Sequence, residues 1–280
     1  MSCLEFKDAD FKHSIAKILG LTGSDINRDD LVEIDSVIIT DSDSGGLSIP
    51  WSGDDFSMMF PKLRYRPNLN NQLWLKDLKH LSHIKSLHIY VPTEKLDTLH
   101  ELTNIHELYI TNSCETNWSW IENLTRLQSL YIRNAQFADL KPIANLSMKQ
   151  NQRYIQSNSK DFWFLKKLFL NYCEIEDITP LRQCSNIVEL NLSHNRIADL
   201  QPLESLKWLY YLTLRYNRIQ DISPLARLPY IYAINLRHNQ ISDISPLSRF
   251  NSSNLSRLYL RHNEITDYAA INKLSINLSD

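Results

Sequence analysis

Four stretches in the C-terminal half share one order of apolar and polar positions, L-x-x-L-x-L-x-x-N, with an apolar residue at the first, fourth and sixth places. They are IVELNLSHN (187–195), LYYLTLRYN (209–217), IYAINLRHN (231–239) and LSRLYLRHN (255–263). Their asparagines stand 22, 22 and 24 residues apart. Working backwards, related copies are LKKLFLNYC (165–173), LQSLYIRNA (127–135), IHELYITNS (105–113) and IKSLHIYVP (84–92), with fainter ones at FPKLRYRPN (60–68) and IDSVIITDS (34–42). Alternation through places three to seven predicts one short strand per copy, with one face inward and one outward. About ten such units span residues 31–274, too small to bury an apolar face singly but able to close a continuous core when stacked.

Between strands the copies continue as N-x-I-x-D-I-S-P-L. The turn asparagines Asn195, Asn217, Asn239 and Asn263 are expected to bond backbone groups inside the stack. Asp177, Asp199, Asp221, Asp243 and Asp267 form a row that invites thoughts of metal, but each stands just before ISPL or its equivalent, where a carboxylate caps a 3₁₀ turn. Capping is the expected role, and Cys173, in an asparagine slot, is expected to be a buried structural thiol. Two stretches depart from the period. FKDADFKHSIAKILG sets Phe11, Ile15, Ile18 and Leu19 at helical spacing and ends at a glycine stop, Gly20. Ala135 and Cys173 lie 38 residues apart, and the surplus, SMKQNQRYIQSNSKDF (147–162), is polar and reads as a loop.

The template and its continuation resemble the 22-residue subclass of leucine-rich repeats found in bacterial internalins and in a eukaryotic phosphatase-regulatory subunit. That resemblance implies an α/β solenoid: a horseshoe with a parallel sheet on its concave side and 3₁₀ or extended segments on its convex side. It also implies a helical N-terminal cap over residues 1–30, the array over 31–274 and a short C-terminal end, 275–280. Leu274, Ile276 and Leu278 are placed to form a last short strand or an open end. The function implied is non-enzymatic binding of another protein on the concave face, as a scaffold, inhibitor, immunity-type or regulatory protein, or bacterial effector.

Outward residues on the concave strands are places three, five and seven. Tyr90, Tyr109, Tyr131 and Phe169 make an expected aromatic strip, and Arg215, Arg237 and Arg261 a basic strip. Arg133, Tyr211 and Tyr259 lie among them, and the eighth place of the last four repeats holds His194, Tyr216, His238 and His262 at the rim. The fold's leucine pattern does not require these residues, and tyrosine and arginine are enriched where interfaces are strongest. The arginines predict an acidic surface on the partner, or, as an alternative, a phosphorylated or polyanionic ligand.

Catalytic chemistry leaves no trace. HELTNIH (100–106) puts its histidines six apart rather than the four a zinc helix requires, HLSH (80–83) falls on a return segment, and no phosphate-binding loop or nucleophile elbow occurs. No cofactor or metal is expected. A formal charge of -2 over 280 residues and a pI near 6.5 argue against nucleic acid or an anionic membrane as partner. Four scattered cysteines and an N-terminus without a basic-then-apolar leader predict a reducing, cytoplasmic setting. Oligomeric state is not encoded in any of these features.

Overall fold

The structure is a computed structural model that describes residues 3–21, 25–40, 62–67, 72–156, 162–250, 254–271 and 277–278. Its chain contacts divide it into two compact units, Met1–Leu127 and Gln128–Asp280. Each is built from parallel strands.

Unit one holds β1 (Ser36–Ile39), β2 (Lys62–Tyr65), β3 (Ser86–Ile89) and β4 (Glu107–Thr111). Ile38 pairs with His88 on one side and Arg64 on the other, so the register follows the template. The order does not. Successive repeats lead one to expect β2 between its sequence neighbours, yet β1 lies between β2 and β3. The burial of β1 explains this: Val37, Ile38 and Ile39 are all covered, including the nominally outward Ile38, which suits an interior strand. Arg64 on β2 is exposed, and β2 takes the outer place.

Helix α1 (Ala9–Ile18) packs on β2. Its Phe11 and Ile15 are buried, Phe11 edge-on to Tyr65 at 4.9 Å, whereas Ile18 is exposed. Asp8 caps the helix by accepting from the Phe11 N–H (3.0 Å) and also accepts from the Tyr65 hydroxyl (2.9 Å). The carboxylate of Asp77, wholly buried at the end of the short helix α2 (Trp74–Asp77), accepts the backbone N–H groups of Lys7 and Asp8 at 2.7–2.9 Å. Gly20 ends this segment at φ +66°, a conformation that glycine adopts without strain.

Unit two holds β5 (Ser129–Arg133), β6 (Lys167–Asn171), β7 (Glu189–Asn191), β8 (Tyr211–Thr213), β9 (Ala233–Asn235), β10 (Arg257–Tyr259) and β11 (Asn277–Leu278), in sequence order. Leu130, Leu168, Leu190, Leu212, Ile234 and Leu258 face inward at one register. The return segments carry 3₁₀ turns at Thr179–Gln183, Gln201–Ser205, Ser223–Arg227 and Ser245–Arg249. Each has a proline near its start, where a missing N–H costs nothing.

The polar ladder follows its expected pattern. Asn217 donates to the carbonyls of Leu192 and Leu214 (both 3.0 Å) and accepts from the Ile197 N–H (3.0 Å). Asn195, Asn239 and Asn263 repeat this one period away. Asp177, Asp199, Asp221, Asp243 and Asp267 each accept the N–H two residues on, all at 2.8 Å. Cys173 is buried, with its thiol pushed up to about 12 by burial.

The surplus, read as a loop over 147–162, is helical as far as Gln156, and residues 157–161 lie outside the described residues. Helix α3 (Lys141–Gln156) starts where a 3₁₀ turn belongs and runs on for 16 residues. Ile143, Ser147 and Gln150 lie on its buried side at helical spacing, and the Gln150 side-chain Oε1 accepts the Leu165 N–H (2.9 Å). Gln152, Arg153 and Gln156, among the polar residues that suggested a loop, are on its solvent side.

Candidate functional site

The outward face of unit two is organised by the eighth place of each repeat. Here the chain turns left-handed: φ is +52° at Asn134, +57° at Tyr172 and His194, +56° at Tyr216 and His238, and +60° at His262. Only asparagine, aspartate and histidine among non-glycine residues tolerate this conformation comparatively well. The ladder continues through it, since the N–H groups of His194, Tyr216 and His238 donate to the carbonyls of Arg215, Arg237 and Arg261 at 2.9–3.0 Å. Consecutive eighth-place rings are thereby brought face to face. Tyr172 stacks on His194 (4.0 Å between centroids), His194 on Tyr216 (4.2 Å), Tyr216 on His238 (3.9 Å) and His238 on His262 (4.1 Å), all within 17° of parallel.

Guanidinium groups sit against these and neighbouring rings. Arg133 lies over Tyr172 at 5.3 Å, Arg215 over Tyr216 at 4.9 Å and Arg237 over Tyr259 at 4.6 Å. Such contacts hold an arginine in place while leaving its charge available. Two other arginines of unit two are ion-paired: Arg196 with Glu174 (3.4 Å) and Glu176 (3.6 Å), and Arg227 with Glu204 (3.3 Å). Among the described residues no carboxylate lies within ion-pair reach of Arg215 or Arg261. Glu189, the nearest acid by sequence pattern, is bound to Lys167 at 3.2 Å. Partial burial, then Arg215, Arg133 and His238, push His194 down to about 4. Burial followed by His262, Arg215, Arg237 and Arg261 lowers His238 as well. These two rings are therefore neutral at pH 7, and the positive charge of the face is carried by arginine.

The expected aromatic strip divides between the units. In unit one, His88 stacks on Tyr109 (4.0 Å), its Nδ1 lies 3.0 Å from the Tyr90 hydroxyl and its Nε2 2.9 Å from Ser86 Oγ. Tyr109 is buried, so it offers a partner little surface. In unit two, Tyr131 and Phe169 stack at 4.6 Å and 11°, half-exposed. Tyr211 packs edge-on to Tyr210 (4.8 Å) and Tyr232 (5.8 Å). Arg133, Arg215, Tyr216, Arg261 and His262 are exposed, while Arg237, His238 and Tyr259 are half-buried. One participant escaped the sequence reading, Tyr172, although it occupies the eighth place that the template marks.

No three of histidine, cysteine, aspartate and glutamate converge as a metal site among the described residues. No helix among them is long and apolar enough to cross a membrane.

Family models for leucine-rich repeats match residues 163–205, 185–227 and 207–265, which together cover 163–265. No curated protein matches the chain significantly. Among solved structures, internalin InlF of Listeria monocytogenes is similar with a TM-score of 0.66 and 24% identity, over 97% of this chain and 75% of that one. Internalin C2 of the same organism gives 0.59 and 21%, over 98% and 94%. The ectodomain of the Arabidopsis thaliana receptor kinase GASSHO1/SCHENGEN3, solved in complex with CASPARIAN STRIP INTEGRITY FACTOR 2, gives 0.57 and 17%, over 72% and 24%. At these identities the likeness is one of fold. Residues 163–265 are leucine-rich repeats, and the protein has the leucine-rich-repeat solenoid fold of the internalin type.

Proposed function

We propose that this chain is a non-enzymatic binding protein whose strand face in unit two docks an acidic surface of another protein. A leucine-rich solenoid is in general a protein-interaction module, and the plant ectodomain's complex illustrates that use of the fold. One observation carries the finer reading: Arg215 and Arg237 are held over aromatic rings, and Arg215 and Arg261 have no carboxylate in reach among the described residues, while Arg196 and Arg227 are ion-paired. Cations aligned at strand spacing repel one another. A partner's carboxylates would relieve that repulsion, and pre-positioned guanidiniums lose little freedom on binding. Electrostatic attraction of this kind speeds encounter and weakens with salt. The free thiols Cys3, Cys114, Cys173 and Cys184 support a reducing, cytoplasmic setting.

The test compares the wild-type chain with R215A/R237A/R261A as immobilised bait in extracts of the native cell, eluting with a salt gradient. Acidic proteins retained by the wild type and lost from the variant support the reading. Equal retention by both baits removes it. A saturable thermal shift with inorganic phosphate or a nucleotide, abolished in the variant, would replace the protein partner by a small polyanion.

A further inference from the structure

The margin of unit two where the strands begin carries a second feature that the arginine face leaves unused. In each repeat the residue before the first template position and the residue after it flank a buried leucine or isoleucine. In two successive repeats both flanks are aromatic: Trp208 and Tyr210, then Tyr230 and Tyr232. Trp208 lies parallel to Tyr230 at 5.4 Å and Tyr210 parallel to Tyr232 at 4.9 Å, within 8° in both pairs. These rings line an open groove of about 770 Å³ together with Phe164 and Lys166 on the approach to β6. Trp208 is 58% exposed and Tyr230 50%. Rings of this size serving only the core would be covered, and a cluster of them in a groove marks an interaction site.

The insertion builds one end of this groove. Tyr154 of α3 meets Phe162 edge-on at 4.4 Å and Phe164 at 5.5 Å. Asn186, which lines the groove, donates to Asn151 of the same helix (3.0 Å). The break in the 22-residue period thus supports the wall of a surface rather than an idle excursion.

The chemistry of the wall selects its occupant. It offers ring surface and hydrogen-bond donors: the Trp208 indole N–H, tyrosine hydroxyls and the Lys166 ammonium. Among the described residues no carboxylate lines it. A complementary segment brings apolar rings and carbonyl acceptors, needs few acceptors for its own N–H groups, and carries negative rather than positive charge near Lys166. Proline-rich chain in the polyproline II form meets all of this, since proline has no N–H and the helix leaves its carbonyls free. Its rigidity also lowers the ordering cost of binding in an aromatic groove. Five strands at about 4.8 Å spacing give the groove a length of about 19 Å. At about 3.1 Å per residue that accommodates about six residues.

We propose that the groove framed by Trp208, Tyr210, Tyr230 and Tyr232 docks a proline-rich segment of a partner protein, with an acidic residue of that segment facing Lys166. The site is separate from the arginine face, and the two readings stand or fall independently.

The test is fluorescence anisotropy of the full chain with three labelled peptides: decaproline, decaproline preceded by two glutamates, and a glycine–serine peptide of equal length. Saturable binding of both proline peptides and none of the third is expected, with tighter binding of the acidic one. Lys166→Ala should abolish that tightening. W208A/Y230A should weaken both by about tenfold or more while leaving thermal unfolding unchanged. R215A/R237A/R261A should bind all three as the wild type does. Failure of either proline peptide to saturate overturns the proposal, as does equal binding by W208A/Y230A. Sedimentation of the wild type as a dimer that W208A/Y230A dissolves, without proline binding, assigns the groove to a second copy and overturns it too.

Discussion

Tyr216 and His238 lie face to face, 3.9 Å between ring centroids and 8° from parallel, and both backbones are left-handed at φ +56°. Two demands meet in that pair. The backbone turn disfavours most side chains, and the strand spacing sets whatever occupies it against its neighbour one repeat away. Asparagine answers the first demand, as at Asn134, and histidine answers both. Recurrence of His and Tyr beside the arginines is therefore in part architecture, and the arginines carry what the fold does not need.

Substitution at Tyr216 separates the demands. Tyr216→Asn keeps a residue suited to the turn and loses only ring contacts, an expected cost of about 1 kcal/mol. Tyr216→Val must hold a β-branched residue left-handed, adding about 1–3 kcal/mol. Urea unfolding of both variants reads the difference. Equal costs would mean that the stack alone, not the backbone, selects this residue.

Acid should loosen unit two through His194. Burial and Arg215 hold its folded value at about 4, below its ordinary 6.5. Between these pH values the unfolded chain binds the proton and the folded chain does not. The contribution is thus fully present above pH 6.5 and is lost as pH falls towards 4. His194→Asn fits the turn without titrating, so its melting temperature should fall less steeply across that window. Parallel pH profiles for wild type and variant would contradict this.

The register of the strands was legible because the period allows no slip: Ile38 opposite Arg64 and Leu190 opposite Leu212 follow from the template alone. What a repeat cannot specify is which neighbour it joins. FPKLRYRPN reads as a link between two repeats, but the coverage of Ile38 makes β1 the inner strand and leaves β2 beneath α1. Helix α3 was hidden for a different reason. Its apolar residues Ile143 and Leu146 fall in what the template counts as the preceding repeat, so the remaining polar stretch looked structureless. The aromatic groove lies outside places three, five and seven, on the residues that flank the first template position. Its signal was present in the 22-residue spacing of Trp208 with Tyr230 and Tyr210 with Tyr232.

The buried asparagines should tolerate little. Asn217→Ala leaves the Leu192 and Leu214 carbonyls and the Ile197 N–H without their partner inside the stack, an expected loss of about 3 kcal/mol or more. Asn217→Cys should cost less. Cys173 already fills the equivalent slot, its sulfur 3.4 Å from the Asn171 carbonyl and 3.7 Å from that of Ile132. Denaturant titration orders the three proteins, and a cysteine variant no better than alanine would show that Cys173 relies on its own local packing.

Arg215, Arg237 and Arg261 are expected to oppose stability rather than supply it. Their charges align on neighbouring strands, Arg215 and Arg261 have no carboxylate in reach among the described residues, and their repulsion further depresses His238. R215A/R237A/R261A should therefore melt at or above the wild-type temperature in dilute buffer. The gain should shrink as added salt brings the screening length from about 30 Å at 0.01 M to about 3 Å at 1 M. Alanine also removes the stacking of Arg215 and Arg237 on their rings, which sets a limit on the gain. The informative quantity is consequently the salt dependence of the difference, read by calorimetry at both ionic strengths. A variant that melts well below the wild type at every salt concentration would make these residues structural, and the arginine face would lose its claim to be a surface kept for a partner.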